Sequence, residues 1–228
     1  MFWKDDNDSK KEFSVPDDVV DISFKLECRM LPIDHAYALS SAIQSALPWF
    51  ASEQRAGLHL IHVAESGNGW HRPEDTENEI LCLSRRTRMT IRVPKHRIED
   101  TQSLAGNKLD IDGHALTVKE GAVKPLAALP TMFSRYVETL QDKSEDDFLD
   151  EMAKVITGMG IPVSKLMAGK QHMFKFDNRK IFTRSLMVAD LSPQHAVKLQ
   201  QDGIGNGQKY GCGLFIPQKG IKAVNADD

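Results

Sequence analysis

The chain has 228 residues, 41% of them hydrophobic and 27% charged, with a formal net charge of −3 at pH 7. This is the composition of a soluble globular protein, long enough for one large domain or two modules of about 100 residues. No apolar run approaches the roughly 18 residues of a membrane helix, and residues 1–6 are too acidic for a secretory signal. The well-separated Cys28, Cys82 and Cys212 argue against a disulfide framework or a zinc site. We therefore expect a cytoplasmic protein without a bound metal or cofactor.

The acidic residues are concentrated in two segments. Residues 1–21 contain seven acidic residues and three lysines, and residues 142–151 contain six acidic residues and one lysine. The rest of the chain is basic, so a positively charged face is compatible with the acidic total. Residues 1–18 are predicted to form a disordered acidic tail, and residues 223–228 a second tail.

Apolar periodicity after the tail predicts one complete α+β unit. A strand is expected at 20–30, followed by a helix that Asp34 caps, and by a strand at 57–63. A polar loop at 66–78 leads to a strand at 80–93, a short helix at 94–105 and a hairpin at 109–118. This β-α-β-β-α-β order is that of a ferredoxin-like module, which we place at residues 19–124.

The same order of elements follows again, without an obvious sequence repeat. A strand is predicted at 132–140, then a helix capped by Ser144, and a hairpin at 163–191 that turns near residues 177–178. Ser192 and Pro193 begin a second helix that stops at Gly203, and a last strand lies at 214–216. The predicted fold is therefore α+β, with a second ferredoxin-like module at residues 125–222.

A glycine-rich segment at 203–213, with five glycines in eleven residues, is the most unusual feature of the sequence. Glycine loses the most backbone entropy on folding, so this density indicates that main chain approaches something closely. The main-chain N–H groups of such a turn can bind a phosphate. Lys209 would contribute a positive charge and Tyr210 a flat aromatic ring. The alternative is a turn without a ligand. The segment fits neither the Walker loop nor the dinucleotide fingerprint.

Residues 84–97 contain six Lys and Arg residues and no acidic residue. Arg86, Arg88 and Arg92 would share one face of the predicted strand. That face is either a phosphate-binding arginine stripe or simply a solvated side of the sheet.

Eight histidines are present, and each taken singly is more often structural than catalytic. His59 and His62, three apart on a predicted strand, are expected to face opposite sides. His35 differs, because it falls in the opening turn of the first helix. A helix N-terminus disfavours the imidazolium, which leaves a neutral ring able to act as a base.

Several segments together carry a resemblance to a known family: VDI (20–22), LPIDHAYAL (31–39), ESGNGW (65–70), LSRRTR (83–88), RSLM (184–187) and GCGLFIP (211–217). Two ferredoxin-like modules ending in Gly-h-Gly-x5-Gly-h-Gly, where h is apolar, resemble the repeat-associated RNA-binding (RAMP) superfamily of CRISPR systems. More narrowly, residues 19–221 resemble the CRISPR-associated endoribonuclease that cuts precursor CRISPR RNA, in its myxobacterial subtype.

The resemblance implies a metal-independent endoribonuclease that cuts CRISPR repeat RNA through its 2′-hydroxyl. It leaves 2′,3′-cyclic phosphate and 5′-hydroxyl ends and so produces mature guide RNA. His35 is the implied catalytic histidine, and Tyr37, Ser41 and Ser185 are candidates for its partner. The candidate RNA-binding residues are Arg85, Arg86, Arg88, Arg92, Gly203, Gly205, Asn206, Gly207, Lys209, Tyr210, Gly211 and Gly213.

Precursor and mature guide RNA are the expected partners, and other subunits of a CRISPR effector complex are further candidates. Two other functions remain open at this point. One is a non-catalytic RNA-binding subunit of such a complex. The other is a ferredoxin-like metabolic or regulatory domain that binds a small phosphorylated ligand at the glycine-rich segment.

Overall fold

The computed structural model describes residues 13–62, 79–176 and 179–218, without the side chain of Arg179, and places them around two antiparallel sheets. The first sheet contains β1 (Val19–Glu27), β3 (Gly57–His59), β5 (Arg88–Pro94), β6 (Lys108–Ile111) and β7 (His114–Pro125). Its strand order is β3-β5-β1-β7-β6. A separate ribbon pairs β2 (Met30–Pro32) with β4 (Ile80–Cys82).

Two helices belong to the first sheet, α1 (Ala36–Ala46) and α2 (Ile98–Gln102). Strands β7-β1-β5-β3 and these helices form the predicted βαββαβ unit, with β6 added at one edge. Leu39 and Ile43 lie on the buried face of α1 and belong to the same apolar core as Ile22 and Phe24 of β1. The apolar residues at helical spacing on α1 and those at alternate positions on β1 therefore pack into one core.

The second sheet contains β8 (Met132–Thr139), β9 (Lys165–Phe176), β10 (Arg179–Ala189) and β11 (Ile216–Pro217) in the order β11-β8-β10-β9. Helix α3 (Glu145–Gly158) follows β8, and α4 (Pro193–Asp202) follows β10. Ser144 and Ser192 cap these helices as predicted, each accepting a main-chain N–H bond through its hydroxyl. The α+β fold with two ferredoxin-like arrangements is confirmed.

Two long predicted strands are each divided in the structure. The first ends at Glu27, and β2 then pairs with β4 instead of continuing β1. The other is interrupted between β4 and β5 by a turn in which Thr87 N–H donates to the Ser84 carbonyl at 3.0 Å. Because apolar and polar residues also alternate across these turns, the alternation pattern could not show where the strands are divided.

The predicted cap of α1 was wrong by one residue. His35 occupies the N-cap position, whereas the Asp34 carboxylate accepts a 2.8 Å bond from the main-chain N–H of Lys175 in β9. Asp34 therefore links the two modules instead of capping its own helix.

Residues 13–18, for which disorder was predicted, pack against the rest of the protein. Phe13 and Val15 pack against a small apolar cluster, and the Asp18 carbonyl accepts a 2.8 Å bond from Lys95 N–H. Residues 1–12, the polar loop at 66–78, the turn at 177–178 and the tail at 223–228 lie outside the described residues. Within the described part of the chain, no helix has the length and apolarity to cross a bilayer.

Candidate functional site

A cleft of about 340 Å³ opens where the two modules meet. One wall is the face of the first sheet that carries Asp21, His59 and Thr90, where the strand register pairs His59 with Thr90 and Asp21 with Arg92. The opposite wall comes from β8 and from the segment after the glycine-rich loop. The lining residues are Asp21, His59, Leu60, His62, Arg88, Thr90, Lys124, Arg135, Tyr136, Gly211, Leu214 and Ile216.

Among the residues that the structure describes, the charge of this cleft is positive. Arg88, Lys124 and Arg135 line it, and Asp21 is the one acidic residue among its described lining residues. Burial alone would raise the pKa of Asp21, but the nearby Arg92 guanidinium and His59 hold that pKa below its ordinary value. Since Arg92 already compensates Asp21, the three cleft cations are available to an anionic ligand.

Arg92 itself is not on an exposed stripe, and this part of the prediction was wrong. Its side chain is 1% exposed and meets both carboxylate oxygens of Asp21, at 2.8 and 3.0 Å. Its Nη1 donates to the carbonyls of Gln200 and Phe215 in the second module, at 2.8 and 3.0 Å. These bonds lie within the protein, so Arg92 joins the modules and is not part of an exposed basic surface.

Arg88 is the first residue of β5, and Arg85 and Arg86 lie just before it. Arg85 and Arg86 are exposed on the turn between β4 and β5. Arg88 is half-buried, and its Nη1 donates to the carbonyls of Arg85 and Thr87, both at 2.9 Å. Arg88 thereby shapes the turn while it lines the cleft, and the other two extend the basic surface outside it.

The glycine-rich segment uses much of its main chain inside the protein. The N–H groups of Ile204, Cys212 and Gly213 donate to the carbonyls of Gly213, Gly207 and Tyr136. A side chain on Gly213 would overlap the carbonyl of Ile204, and one on Gly211 would meet Leu60 of the first module. Close main-chain approach was predicted correctly, but the near neighbour is the protein itself.

The two side chains predicted to assist phosphate binding also join the modules. Lys209 donates to the carbonyls of Glu53 and Ala56 and lies over the ring of Phe50. Burial lowers the pKa of Lys209 to about 8, although Glu53 opposes the shift. Tyr210 packs edge-on against Phe176, with 4.7 Å between the ring centroids. The positions of Lys209 and Tyr210 are therefore accounted for by contacts within the protein.

The remaining glycine-segment residues fall into two groups. Gly203 and Gly207 are buried, whereas Gly205 and Asn206 are exposed. Burial raises the pKa of the neighbouring Cys212 thiol to about 12, and Glu138 adds to the shift. Gly205 and Asn206 form the exposed tip of the segment, and Gly211 lines the cleft.

His35 begins α1 as predicted, but its ring is enclosed. The side chain is 2% exposed. Its Nδ1 lies 2.8 Å from the Pro32 carbonyl, and its Nε2 accepts a 3.1 Å bond from the main-chain N–H of Ile61. These bonds require a neutral ring with its proton on Nδ1. Both ring nitrogens of His35 are therefore engaged with main chain inside the protein.

A histidine and tyrosine cluster, which sequence reasoning missed, lies beside the cleft. His62 stacks on Tyr136 with 5.7 Å between the ring centroids, and His172 of β9 meets the same tyrosine edge-on at 5.4 Å. Because β3 ends at His59, strand alternation does not separate His62 from His59, and both line the cleft. Burial lowers the pKa of His59 to about 4, partly opposed by Asp21.

The proposed partners of His35 are dispersed. Tyr37 is exposed and packs edge-on against Phe176, at 5.7 Å between centroids. Ser41 is half-buried within α1, and Ser185 is buried in β10. None of the three lines the cleft.

Paired ferredoxin-like modules with a C-terminal glycine-rich loop are the arrangement that the sequence resemblance implied. Residues 20–220 match the model of the Cas6 CRISPR family, and this chain therefore belongs to the Cas6 family. It is 27% identical over 198 residues to the CRISPR-associated endonuclease Cas6 of Myxococcus xanthus, covering 87% of this chain and 81% of that relative. The predicted family is confirmed.

Solved structures show the same fold at low sequence identity. A RAMP protein described as binding different RNA substrates is 15% identical, with a TM-score of 0.60 over 86% of this chain and 98% of that one. A Cas6-related protein from Pyrococcus furiosus is 16% identical, with a TM-score of 0.58 over 86% and 97% of the two chains.

Proposed function

We propose that this protein is an endoribonuclease that cleaves CRISPR repeat RNA in the cleft between its modules and so produces guide RNA. The observation that carries the proposal is the clustering of Arg88, Lys124 and Arg135 around the cleft, where the one carboxylate among the described lining residues is already paired. Family membership and the Myxococcus xanthus endonuclease support the same activity. Precursor repeat RNA and mature guide RNA are the proposed partners.

The reaction uses the nucleophile that RNA itself carries. The 2′-oxygen forms a bond to the adjacent phosphorus, the bond from phosphorus to the 5′-oxygen breaks, and one proton passes from the 2′-hydroxyl to the leaving oxygen. The products are a 2′,3′-cyclic phosphate and a 5′-hydroxyl. Holding the 2′-oxygen in line with the breaking bond supplies much of the acceleration. An imidazole that moves the proton contributes roughly 10²–10⁴-fold.

The cleft cations have two functions in this proposal. Before reaction they neutralise the RNA backbone, and during reaction they stabilise the additional negative charge on the phosphorane. Arg85 and Arg86 extend the contact along the flanking strand, and the exposed tip at Gly205 and Asn206 provides main-chain contacts. The rest of the glycine-rich segment packs against the first module and keeps the two modules together.

A cleavage assay on a CRISPR repeat transcript in EDTA tests this function. We expect cleavage at one position, unchanged by the chelator, with cyclic phosphate and 5′-hydroxyl termini. A single 2′-deoxy nucleotide at the cut site should abolish cleavage while leaving binding intact. Cleavage that requires a divalent ion, or that survives the deoxy substitution, would contradict the chemistry.

A non-catalytic RNA-binding subunit of a CRISPR effector complex is the second candidate. The enclosure of His35 favours it, because the histidine that the family resemblance indicates has both ring nitrogens bonded to main chain. The same assay separates the two candidates. Tight repeat binding without any cleavage would establish the binding subunit, and cleavage would exclude it.

A further inference from the structure

We propose that the open face of the second sheet binds unpaired nucleotides of the repeat RNA, whose bases stack on Phe133 and Met187. This inference rests on the proposed function, because it continues the path of the RNA from the cleft onto the neighbouring sheet. It concerns recognition of the substrate and is independent of which group moves the proton.

An apolar row of four side chains crosses the second sheet from edge to edge. The strand register pairs Phe133 of β8 with Ile216 of β11 on one side and with Met187 of β10 on the other. Met187 is in turn paired with Met167 of β9. Directly paired residues of antiparallel strands lie on the same face of a sheet, so these four form one line. With about 4.8 Å between neighbouring strands, the apolar row is about 14 Å long.

The apolar row lies on the face of the sheet opposite to the helices. Met132 and Val188, which alternate with Phe133 and Met187 along the strands, belong to the core that α3 and α4 complete. Met167 is 56% exposed, and the other three members of the row are half-buried. A contiguous apolar patch that solvent reaches is typical of a binding surface.

The apolar row is continuous with the cleft between the modules. Ile216, at one end of the row, lines the cleft itself. Arg135 also lines the cleft, and its guanidinium lies 5.9 Å from the centre of the Phe133 ring. An RNA strand whose phosphates are bound by the cleft cations can therefore place its next bases on the row.

The charge around the apolar row favours a polyanion over an apolar protein partner. Residues 165–189 contain six Lys and Arg residues and one acidic residue. Lys165 and Arg184 of this set form ion pairs with carboxylates, whereas Lys170 and Lys180 are exposed. Single-stranded RNA combines a charged backbone with flat apolar rings, and proteins bind it with basic grooves and stacking side chains.

The surface beside the apolar row is shaped for flat rings. Gly169 follows Met167 two residues along β9, and an added Cβ there would meet the Ser185 hydroxyl. Small residues at both positions leave the Phe133 ring and the Met187 side chain accessible from above. Phe133 offers an aromatic face, and the methionine sulfur makes favourable contacts with aromatic rings.

The occupant must be unpaired, because bases within a stem are stacked on one another and a stem is bound mainly through its backbone and shape. Four-stranded sheets with the same βαββαβ order of elements bind RNA in other proteins by stacking two or three bases on their open face. The length of the apolar row suits that number of bases. We therefore expect the row to contact nucleotides that lie outside any stem of the repeat.

The test compares the affinity of the full-length protein for two RNAs: the repeat, and the same repeat with abasic residues at its unpaired positions. Phe133→Ala should weaken binding of the intact repeat roughly 5–100-fold, the amount expected for one lost stacking contact. The same variant should bind the abasic RNA as tightly as wild type does, because the contact is already absent. The slope of log K against log salt should stay unchanged, since no cation is removed.

Met167→Thr provides a second variant at a position that is already exposed, so it carries little risk of misfolding. It should weaken binding of the intact repeat in the same direction, but less than Phe133→Ala. Met30→Thr is the matched control, because Met30 is an exposed methionine on the separate β2–β4 ribbon. It should bind both RNAs as wild type does. Thermal unfolding of each variant identifies any loss caused by misfolding.

Unchanged affinity of the Met167 and Phe133 variants for the intact repeat would overturn the inference. So would an equal loss for the intact and the abasic RNA, because the contact would then not involve a base. If the variants change the sedimentation of the protein instead of its RNA affinity, the row is a contact between protein copies. A wild-type protein that binds the repeat without cutting it refutes the proposed endoribonuclease alone, whereas one that does not bind it refutes both.

Discussion

Arg92 and Asp21 form a bidentate ion pair at the junction of the modules, in which both carboxylate oxygens accept bonds from one guanidinium. The remaining Nη1 of Arg92 bonds two main-chain carbonyls of the second module. The Arg92 side chain therefore neutralises the Asp21 carboxylate of the cleft and links the two modules.

Loss of this arginine should destabilise the protein strongly. Arg92→Met leaves the Asp21 carboxylate and two carbonyls without their donors, at a cost of about 3–5 kcal/mol in the free energy of unfolding. Denaturant unfolding measures that change. The double variant with Asp21→Asn should lose less, because it leaves no unpaired charge. An Arg92→Met protein as stable as wild type would show that the pair does not hold the modules.

Two glycines of the C-terminal segment should respond differently to the same substitution. Gly205 and Gly213 both have positive φ angles, 75° and 67°, but only at Gly213 does an added Cβ meet other atoms, at Ile204. Gly205→Ala should cost about 1–2 kcal/mol from backbone strain alone. Gly213→Ala should cost several kcal/mol more, as measured by chemical denaturation. Equal losses would mean that the contact at Ile204 relaxes freely.

Binding of repeat RNA should depend on the cleft cations through counterion release. Alanine at Arg88, Lys124 or Arg135 should each reduce the slope of log K against log salt by about 0.7–0.9. Arg86→Ala, on the adjoining turn, should reduce it as well. Lys154→Ala on the exposed surface of α3 is the control and should leave the slope unchanged. Unaltered slopes for the three cleft variants would mean that RNA binds elsewhere.

His59 should make the folded state less stable in mild acid. Its pKa is about 4 in the folded protein, below the ordinary histidine value of 6.5. The unfolded chain therefore binds the proton first, and stability that is complete above pH 6.5 is lost as the pH falls toward 4, by up to about 3 kcal/mol. His59→Gln should flatten unfolding free energies measured between pH 6.5 and 4.5. An unchanged pH dependence would place the titration on another group.

The order of elements could be predicted from the sequence because each module buries one periodic face. The helix ends at Ser144, Ser192 and Gly203 could also be predicted. They depend on hydrogen bonds and backbone angles of residues that are close together in the sequence. Asp34 was misjudged because its partner, Lys175, is 141 residues away in the chain.

The site was harder to predict for the same reason. Arg92 alternates with apolar residues like any outward-facing side chain, and only the packing of the second module against that face makes it internal. Tyr136 and His62 come together from different modules, with no shared motif or spacing. A long-range contact of this kind leaves no local pattern in a single sequence.

The structure of the complex with a repeat RNA that carries a 2′-deoxy nucleotide at the cut site tests the central claim most directly. The account predicts the uncut phosphate in the inter-module cleft, in contact with Arg88 or Arg135. RNA bound on the helical faces of the modules, with the cleft empty, would contradict it.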